Sequence, residues 1–165
     1  MIFILLYLGN PVPSLFISSS RSQAQECIVE KAISDNRSPT ITAKLAKNLA
    51  ESYERCSAMI NALDESVPPK CRKDWSRVAS IKKSYYCSLV NYFMALDNAN
   101  EMKFGITVAH FKLAQTEIEE AWRVAKTFTD SIEPQLGQGM IATIQCAREL
   151  IVNGYIFLIL FVLDH

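Results

Sequence analysis

The sequence has little glycine and proline and no excess of charge of either sign. Its 165 residues include 5 Gly and 6 Pro, and 17 Lys+Arg balance 17 Asp+Glu. The low Gly and Pro content argues against disorder and against collagen-like repeats. The neutral charge lacks the basic footprint of a nucleic-acid-binding protein, so we expect no nucleic-acid partner. Half of the residues are hydrophobic, which is enough for one folded core.

Histidine is also scarce, and the cysteines lack the spacing of metal ligands. The only histidines are His110 and His165, and no C-x-x-C pair occurs. We therefore expect no metal site, no cofactor, no catalytic residues and no small-molecule substrate. The odd number of cysteines predicts reduced, mostly packed thiols in a cytoplasmic protein. The five are Cys27, Cys56, Cys71, Cys87 and Cys146.

One spacing imitates an enzyme. Cys71 and Arg77 are separated by five residues, as in the phosphate loop of tyrosine phosphatases. That loop turns backbone N–H groups onto a phosphate and needs small residues and glycines. The five residues here include Asp74 and Trp75 and no glycine. We interpret the segment as the start of a helix, and an enzyme that uses Cys71 is the rival hypothesis.

Both ends of the chain are apolar. Met1–Leu8 has no basic segment before it, so we do not expect a cleaved signal peptide. Tyr155–Leu163 is shorter than the roughly 20 residues that a membrane-spanning helix needs. We divide the chain into an apolar segment over 1–20, whose status is open, a partial helical domain over 21–151, and an apolar segment over 152–165.

Between the ends, apolar residues recur every three or four positions, which predicts helices rather than strands. We expect an all-α fold of antiparallel helical hairpins. Ser38 and Pro39 mark a helix start, because serine can cap a helix and proline fits its first position. The predicted helices cover roughly 21–34, 39–63, 73–100, 108–128 and 140–152.

Residues 70–83 are strongly basic in this neutral chain and contain one acid, Asp74. Such a patch fits contact with an anionic membrane or another acidic surface. A solvated helix flank is the alternative interpretation. The cations are Lys70, Arg72, Lys73, Arg77, Lys82 and Lys83.

Several strings in one order resemble the BRO domain of Alix and its relatives. They are Gln23–Cys27, Ile28–Lys31, Ile41–Ala46, Lys73–Tyr86 and Lys103–Ala114. Within that family, Asp35–Arg37 and Lys73–Trp75 are most similar to the His-domain tyrosine phosphatase (non-receptor type 23) branch. A complete BRO domain is much longer, so the resemblance implies a partial domain, and no phosphatase domain accompanies it.

The resemblance implies a tetratricopeptide-like scaffold that acts as a non-catalytic adaptor in ESCRT-dependent sorting into multivesicular bodies. Such a protein is cytoplasmic and is recruited to endosomes. It is expected to bind an amphipathic C-terminal helix of an ESCRT-III subunit, of the charged multivesicular body protein class, in a hydrophobic groove. Carried over by position, the groove residues are Ile28, Ile41 and Leu45. Ordinary core packing is the alternative for all three.

The residues are also compatible with a protein of another class. In a secreted, disulfide-stabilised helical bundle, Met1–Leu8 would serve as the export signal and four cysteines would form two bridges. Such a bundle would be an inhibitor or a ligand-binding protein.

Overall fold

The computed structural model describes residues 11–63, 65, 67–128 and 134–163. Within these ranges the chain forms five α-helices and no strand. The all-α prediction is therefore confirmed. The helices are α1 (Pro11–Ser34), α2 (Pro39–Asn61), α3 (Pro69–Asn100), α4 (Phe104–Ala125) and α5 (Pro134–Leu163).

The start of α2 is the one that the sequence predicts. Ser38 precedes the helix, and its Oγ accepts a hydrogen bond from the backbone N–H of Ile41 at 3.4 Å. Pro39 occupies the first helical position, where its missing N–H leaves no hydrogen bond unmade. The preceding turn passes through Asn36 at φ 50°, a left-handed conformation that asparagine tolerates well.

Three other helices are longer than predicted, and each of them also begins at a proline. α1 starts at Pro11, α3 at Pro69 and α5 at Pro134. Proline disrupts a helix at interior positions but is tolerated in the first turn. There, the backbone N–H that proline lacks would have no acceptor within the helix. The pair Pro68 and Pro69 predicts an extended break in the sequence, whereas in the structure Pro69 is the first residue of α3. The segment boundaries at 20/21 and 151/152 both fall inside helices, and residues 1–10 lie outside the described ranges.

The helices pack mainly against their neighbours along the chain: α1 on α2, α2 on α3, α3 on α4, and α4 on α5. The largest cluster of buried side chains joins α3, α4 and α5. Its members include Tyr92, Phe111, Ile118 and Ile151, all at most 9% exposed. The apolar seams that predict an α3–α4 hairpin are the faces buried here.

The inward face of α1 differs from the one expected. Periodicity in the sequence places Cys27, Ile28 and either Ala32 or Ile33 inward. Ala32 is indeed buried, but Cys27 is exposed and Ile28 retains 54% of its accessible surface. The other buried positions are Val29 and Ser22. The whole turn is rich in small and apolar residues, so its pattern alone does not distinguish between adjacent faces.

The C-terminal apolar run is part of α5 and not a separate segment. Over the described residues, Gly137–Leu160 is one helical stretch of 24 residues with a mean hydropathy of 1.3, long and apolar enough to cross a membrane. The length argument made from Tyr155–Leu163 alone was therefore wrong. In this fold Ile151 and Leu158 pack against the bundle, and 22% of the stretch is buried.

Candidate functional site

The predicted groove residues form an open aliphatic ridge on the α1–α2 pair. Ile28 of α1 is 54% exposed and Ile41 of α2 is 51% exposed. Leu45, one turn after Ile41, is partly buried and packs against the cluster that contains Leu49 and Tyr53. The protein itself therefore leaves the side chains of Ile28 and Ile41 exposed and partly covers that of Leu45.

A side-chain hydrogen bond puts these residues on one edge of the helix pair. The hydroxyl of Ser52 donates to Oε1 of Gln25 at 3.3 Å, which fixes where α2 meets α1. Ile28 lies three residues after Gln25, and Leu45 lies seven before Ser52, so each shares a face with its neighbour in this bond. Ile28 and Leu45 consequently lie on the same edge of the pair.

The same face of α1 carries a further exposed aliphatic residue that the sequence interpretation missed. Ile17 is 71% exposed and precedes Ile28 by eleven residues, which is just over three turns and therefore the same face. It was assigned to the apolar segment over 1–20, outside the expected domain. We use the name aliphatic ridge for Ile17, Ile28, Ile41 and Leu45.

A partly buried ionic junction connects α1 to α2 and α3. Glu26 accepts a hydrogen bond from the hydroxyl of Tyr53 on α2, and Nζ of Lys82 on α3 lies 3.0 Å from both of its carboxylate oxygens. The rings of Tyr53 and Tyr86 stack in parallel with centroids 6.1 Å apart. Burial, with Glu26 beside it, raises the pKa of Tyr53 far above its ordinary value, as it does that of Tyr86. One carboxylate thus joins three helices.

The basic residues of 70–83 do not present one common surface. Lys82 is bound to Glu26, and Lys83 lies 2.6 Å from Glu54. The two exposed members of the six are Lys70 and Lys73. A membrane or acidic-surface contact through this segment stays a prediction.

The remaining two cations are partly buried. Arg72 donates to the backbone carbonyl of Leu63 at 3.3 Å. Arg77 lies 3.3 Å from Asp74, and its guanidinium stands 5.6 Å from the centre of the Phe128 ring. Both guanidinium groups therefore have structural partners within the fold.

The cysteine–arginine spacing lies on a regular helix. Cys71 and Arg77 both belong to α3, so the backbone N–H groups between them run along the helix instead of converging on a phosphate. His110 is half-buried, and its Nδ1 lies 3.0 Å from Oδ1 of Asn91. All five cysteines are free thiols. Cys56 is buried with its Sγ 3.4 Å from Oγ of Ser18.

A shallow groove of about 330 Å³ lies between α2, α3 and α4. The Lys83–Glu54 ion pair crosses it, and Cys87 and Glu117 line it. Burial, followed by the charge of Glu117, raises the pKa of the Cys87 thiol. A thiol held protonated in this way is a poor nucleophile. Among the residues that the structure describes, no group of three or more His, Cys, Asp or Glu could hold a metal.

The spacing of Glu119 and Arg123 along α4 predicts a surface ion pair between them. In the structure Arg123 binds Glu120 instead, at 2.6 Å. Glu119 lies 2.7 Å from Arg148 of α5, whose guanidinium also stands 4.8 Å from the centre of the Trp122 ring. The α4–α5 contact is tertiary, so the spacing along α4 could not indicate it.

Stacked antiparallel helices with an exposed aliphatic ridge are typical of helical scaffold domains that bind peptides. The model of the BRO1-like domain matches residues 14–147. The chain therefore belongs to the BRO1-like domain family.

Individual relatives agree with this assignment. The chain is 28% identical over 130 residues to the tyrosine-protein phosphatase non-receptor type 23 of Homo sapiens, covering 78% of the chain and 8% of that protein. It is 33% identical over 112 residues to the vacuolar protein-sorting protein BRO1 of Gibberella zeae, covering 67% and 11%. It is 32% identical over 100 residues to the ALG-2 interacting protein X of Dictyostelium discoideum, covering 61% and 12%. The chain spans only a small part of each of these relatives.

Proposed function

We propose that this chain is a non-catalytic adaptor of endosomal sorting that binds an amphipathic C-terminal helix of an ESCRT-III subunit on the aliphatic ridge. The partner belongs to the charged multivesicular body protein class. In this proposal the protein is cytoplasmic and reaches endosomes through its partner. Membership of the BRO1-like family supports the pathway, as do relatives named for vacuolar protein sorting.

The single observation that carries the proposal is the exposure of Ile28 and Ile41 on a helix pair whose contact is packed by Val29, Ala46 and Leu49. An amphipathic helix recognises its groove through apolar anchors spaced by one turn. Ile41 and Leu45 have that spacing, and Ile28 is exposed on α1 of the same helix pair. Covering such side chains contributes about 1.5–3 kcal/mol each.

A non-catalytic role agrees with the state of the candidate catalytic groups. Arg77 is paired with Asp74, Cys71 lies on a helix, and Cys87 has a raised pKa. The name of the phosphatase relative describes a protein of which this chain covers 8%.

The test is binding of a labelled ESCRT-III C-terminal helix to Leu45→Asp and Ile41→Asp variants. Placing a carboxylate in the interface leaves a charge without a partner, so we expect affinity to fall by at least about tenfold in each. Circular dichroism and urea unfolding should stay close to wild type for Ile41→Asp, because Ile41 is half exposed.

Ile106→Asp is the matched control. Ile106 is 50% exposed, as Ile41 is, but it lies on α4 away from the ridge. It should bind the helix as wild type does. Equal binding by Ile41→Asp and wild type would contradict the proposal, and so would an equal loss in the control.

A further inference from the structure

The C-terminal half of α5 carries an apolar face that the described chain leaves uncovered. Its opposite face is anchored, because Ile151 and Leu158 are 2% and 6% exposed. The helix contains no charged residue after Glu149. Six large apolar side chains on it are exposed by 38% to 72%: Leu150, Val152, Ile156, Phe157, Ile159 and Leu160.

The exposed residues include a heptad seam. Exposed positions follow one another at intervals of four, three, four and three: Cys146, Leu150, Asn153, Phe157 and Leu160. This spacing keeps a stripe of one helix turned towards a partner helix. Asn153 is the one polar residue in the stripe, and a single asparagine in such a seam fixes the register and the number of paired helices.

We propose that this seam pairs with the same seam of a second copy of the chain. The exposed fractions of Leu150, Phe157 and Leu160 in the seam and of Ile156 beside it leave roughly 400 Å² open on each chain, at full residue areas of roughly 150–200 Å². Pairing two copies would then cover roughly 800 Å², the size of a weak and reversible interface. An in-register pair places each Asn153 against its counterpart, which gives both amides a partner.

A lipid surface fits this face less well. Helices that lie on membranes carry lysines and arginines beside their apolar face, whereas the only charged residues of α5 are Arg148 and Glu149. Arg148 is already held by Glu119 and the ring of Trp122. A helix crossing the bilayer would have to bring Arg148 and Glu149 into the apolar layer and expose the α4 side of the core, both of which are costly.

The paired face and the aliphatic ridge are separate surfaces. The ridge lies on α1 and α2, and the seam lies mostly beyond residue 147, where the family match ends. A dimer through α5 would carry two ridges, and a polymer of identical subunits could engage both at once. Linked engagement of that kind strengthens binding without any new contact.

The test is sedimentation equilibrium of the full chain in detergent-free buffer over about a hundredfold range of concentration. We expect the mass to rise from that of one chain towards that of two. Phe157→Glu should weaken this association by at least about tenfold, because Phe157 lies in the middle of the seam. At 72% exposure its replacement should leave the fold intact, which circular dichroism checks.

Ile33→Glu is the control on a different exposed surface, because Ile33 is 41% exposed and lies on α1, and it should associate as wild type does. Asn153→Lys supplies a second variant. Two ammonium groups in register repel each other, so this variant should also weaken the association of the two chains. A wild-type protein that stays monomeric over the whole range would overturn the proposal. Flotation of wild type with phosphatidylcholine vesicles, abolished by Phe157→Glu, would overturn it in favour of lipid.

Discussion

Both halves of the helical stack bury apolar side chains, but they differ in what accompanies this burial. At the α1–α2–α3 junction, an apolar cluster that includes Val29 and Leu49 lies beside partly buried polar contacts between helices: Glu26 with Tyr53 and Lys82, and Gln25 with Ser52. In the α3–α4–α5 core the buried contacts are aromatic and aliphatic, as where the Phe111 ring lies 6.0 Å from those of Tyr92 and Tyr155, and the Glu119–Arg148 ion pair lies at its surface. Directional contacts specify register, whereas apolar burial supplies most of the stability.

This difference matters for the aliphatic ridge. Its position depends on how α1 lies along α2, and the hydrogen bonds of Glu26 and Gln25 favour the observed alignment. The apolar core next to it contributes mainly stability, through the burial of close-packed side chains. We therefore expect changes at the junction to alter the ridge and changes in the core to alter stability.

The largest effect should follow from Phe111→Ala in the apolar half. Phe111 is 2% exposed and contacts rings on α3 and α5. Its truncation leaves a cavity and should lower the free energy of unfolding by about 3–5 kcal/mol, measured by urea denaturation. Leu113→Ala on the same helix is the control, because Leu113 is 52% exposed and should change stability by less than about 0.5 kcal/mol. Equal effects would show that the core does not hold the stack.

A smaller effect is expected from Glu26→Ala in the polar half. The change leaves the partly buried Lys82 and the hydroxyl of Tyr53 without their partner, which should cost about 1–3 kcal/mol. Asp35→Ala removes the exposed Lys31–Asp35 pair and should cost less than about 0.5 kcal/mol. If the polar junction sets the position of the aliphatic ridge, Glu26→Ala should also weaken binding of the partner helix at temperatures where the protein is fully folded. Unchanged binding would separate the junction from the ridge.

The smallest effect near neutral pH, but one that grows in alkali, concerns the tyrosines of the junction. Burial raises the pKa of Tyr53 and Tyr86 above the value of about 10 expected in the unfolded chain. Their stabilising effect is therefore complete below about pH 10 and is lost as the pH rises further. Each tyrosine should lower stability by up to about 1.4 kcal/mol per pH unit there. Urea denaturation at about pH 9 and about pH 11 measures this.

Tyr53→Phe is the control for the alkaline effect. The variant has one titrating group fewer, so its stability should fall less steeply above pH 10 than that of wild type. Stability that stays constant across this range in wild type would contradict the burial of both phenol groups.

Patterns within single helices could be predicted from the sequence, but contacts between helices could not. The spacing of Phe111 and Ile118 indicated the buried face of α4, and Ser38 with Pro39 marked the start of α2. Arg148 forms an ion pair with Glu119 because α5 packs on α4, and no spacing along either helix predicts that pairing. The junction at Glu26 was missed for the same reason, since its partners lie on two other helices.

The helix ends and the ridge show two further limits. Pro69 was expected to lie in a break but starts α3, because a proline looks the same in the sequence at a helix start and in a loop. Ile28 entered the predicted groove through resemblance to a family, while periodicity placed it in the core. Whether an aliphatic side chain on such a helix is covered depends on which other helices pack beside it. Its exposure could therefore be determined only from the structure.

The serial packing of the helices also bears on how the protein folds. Since each helix rests mainly on the one before and the one after it, most contacts close short loops, and such topologies fold rapidly. Unravelling can begin at either extremity without disturbing the middle. Amide exchange should therefore be slowest in α3 and faster towards both termini, because local unfolding begins at the terminal helices.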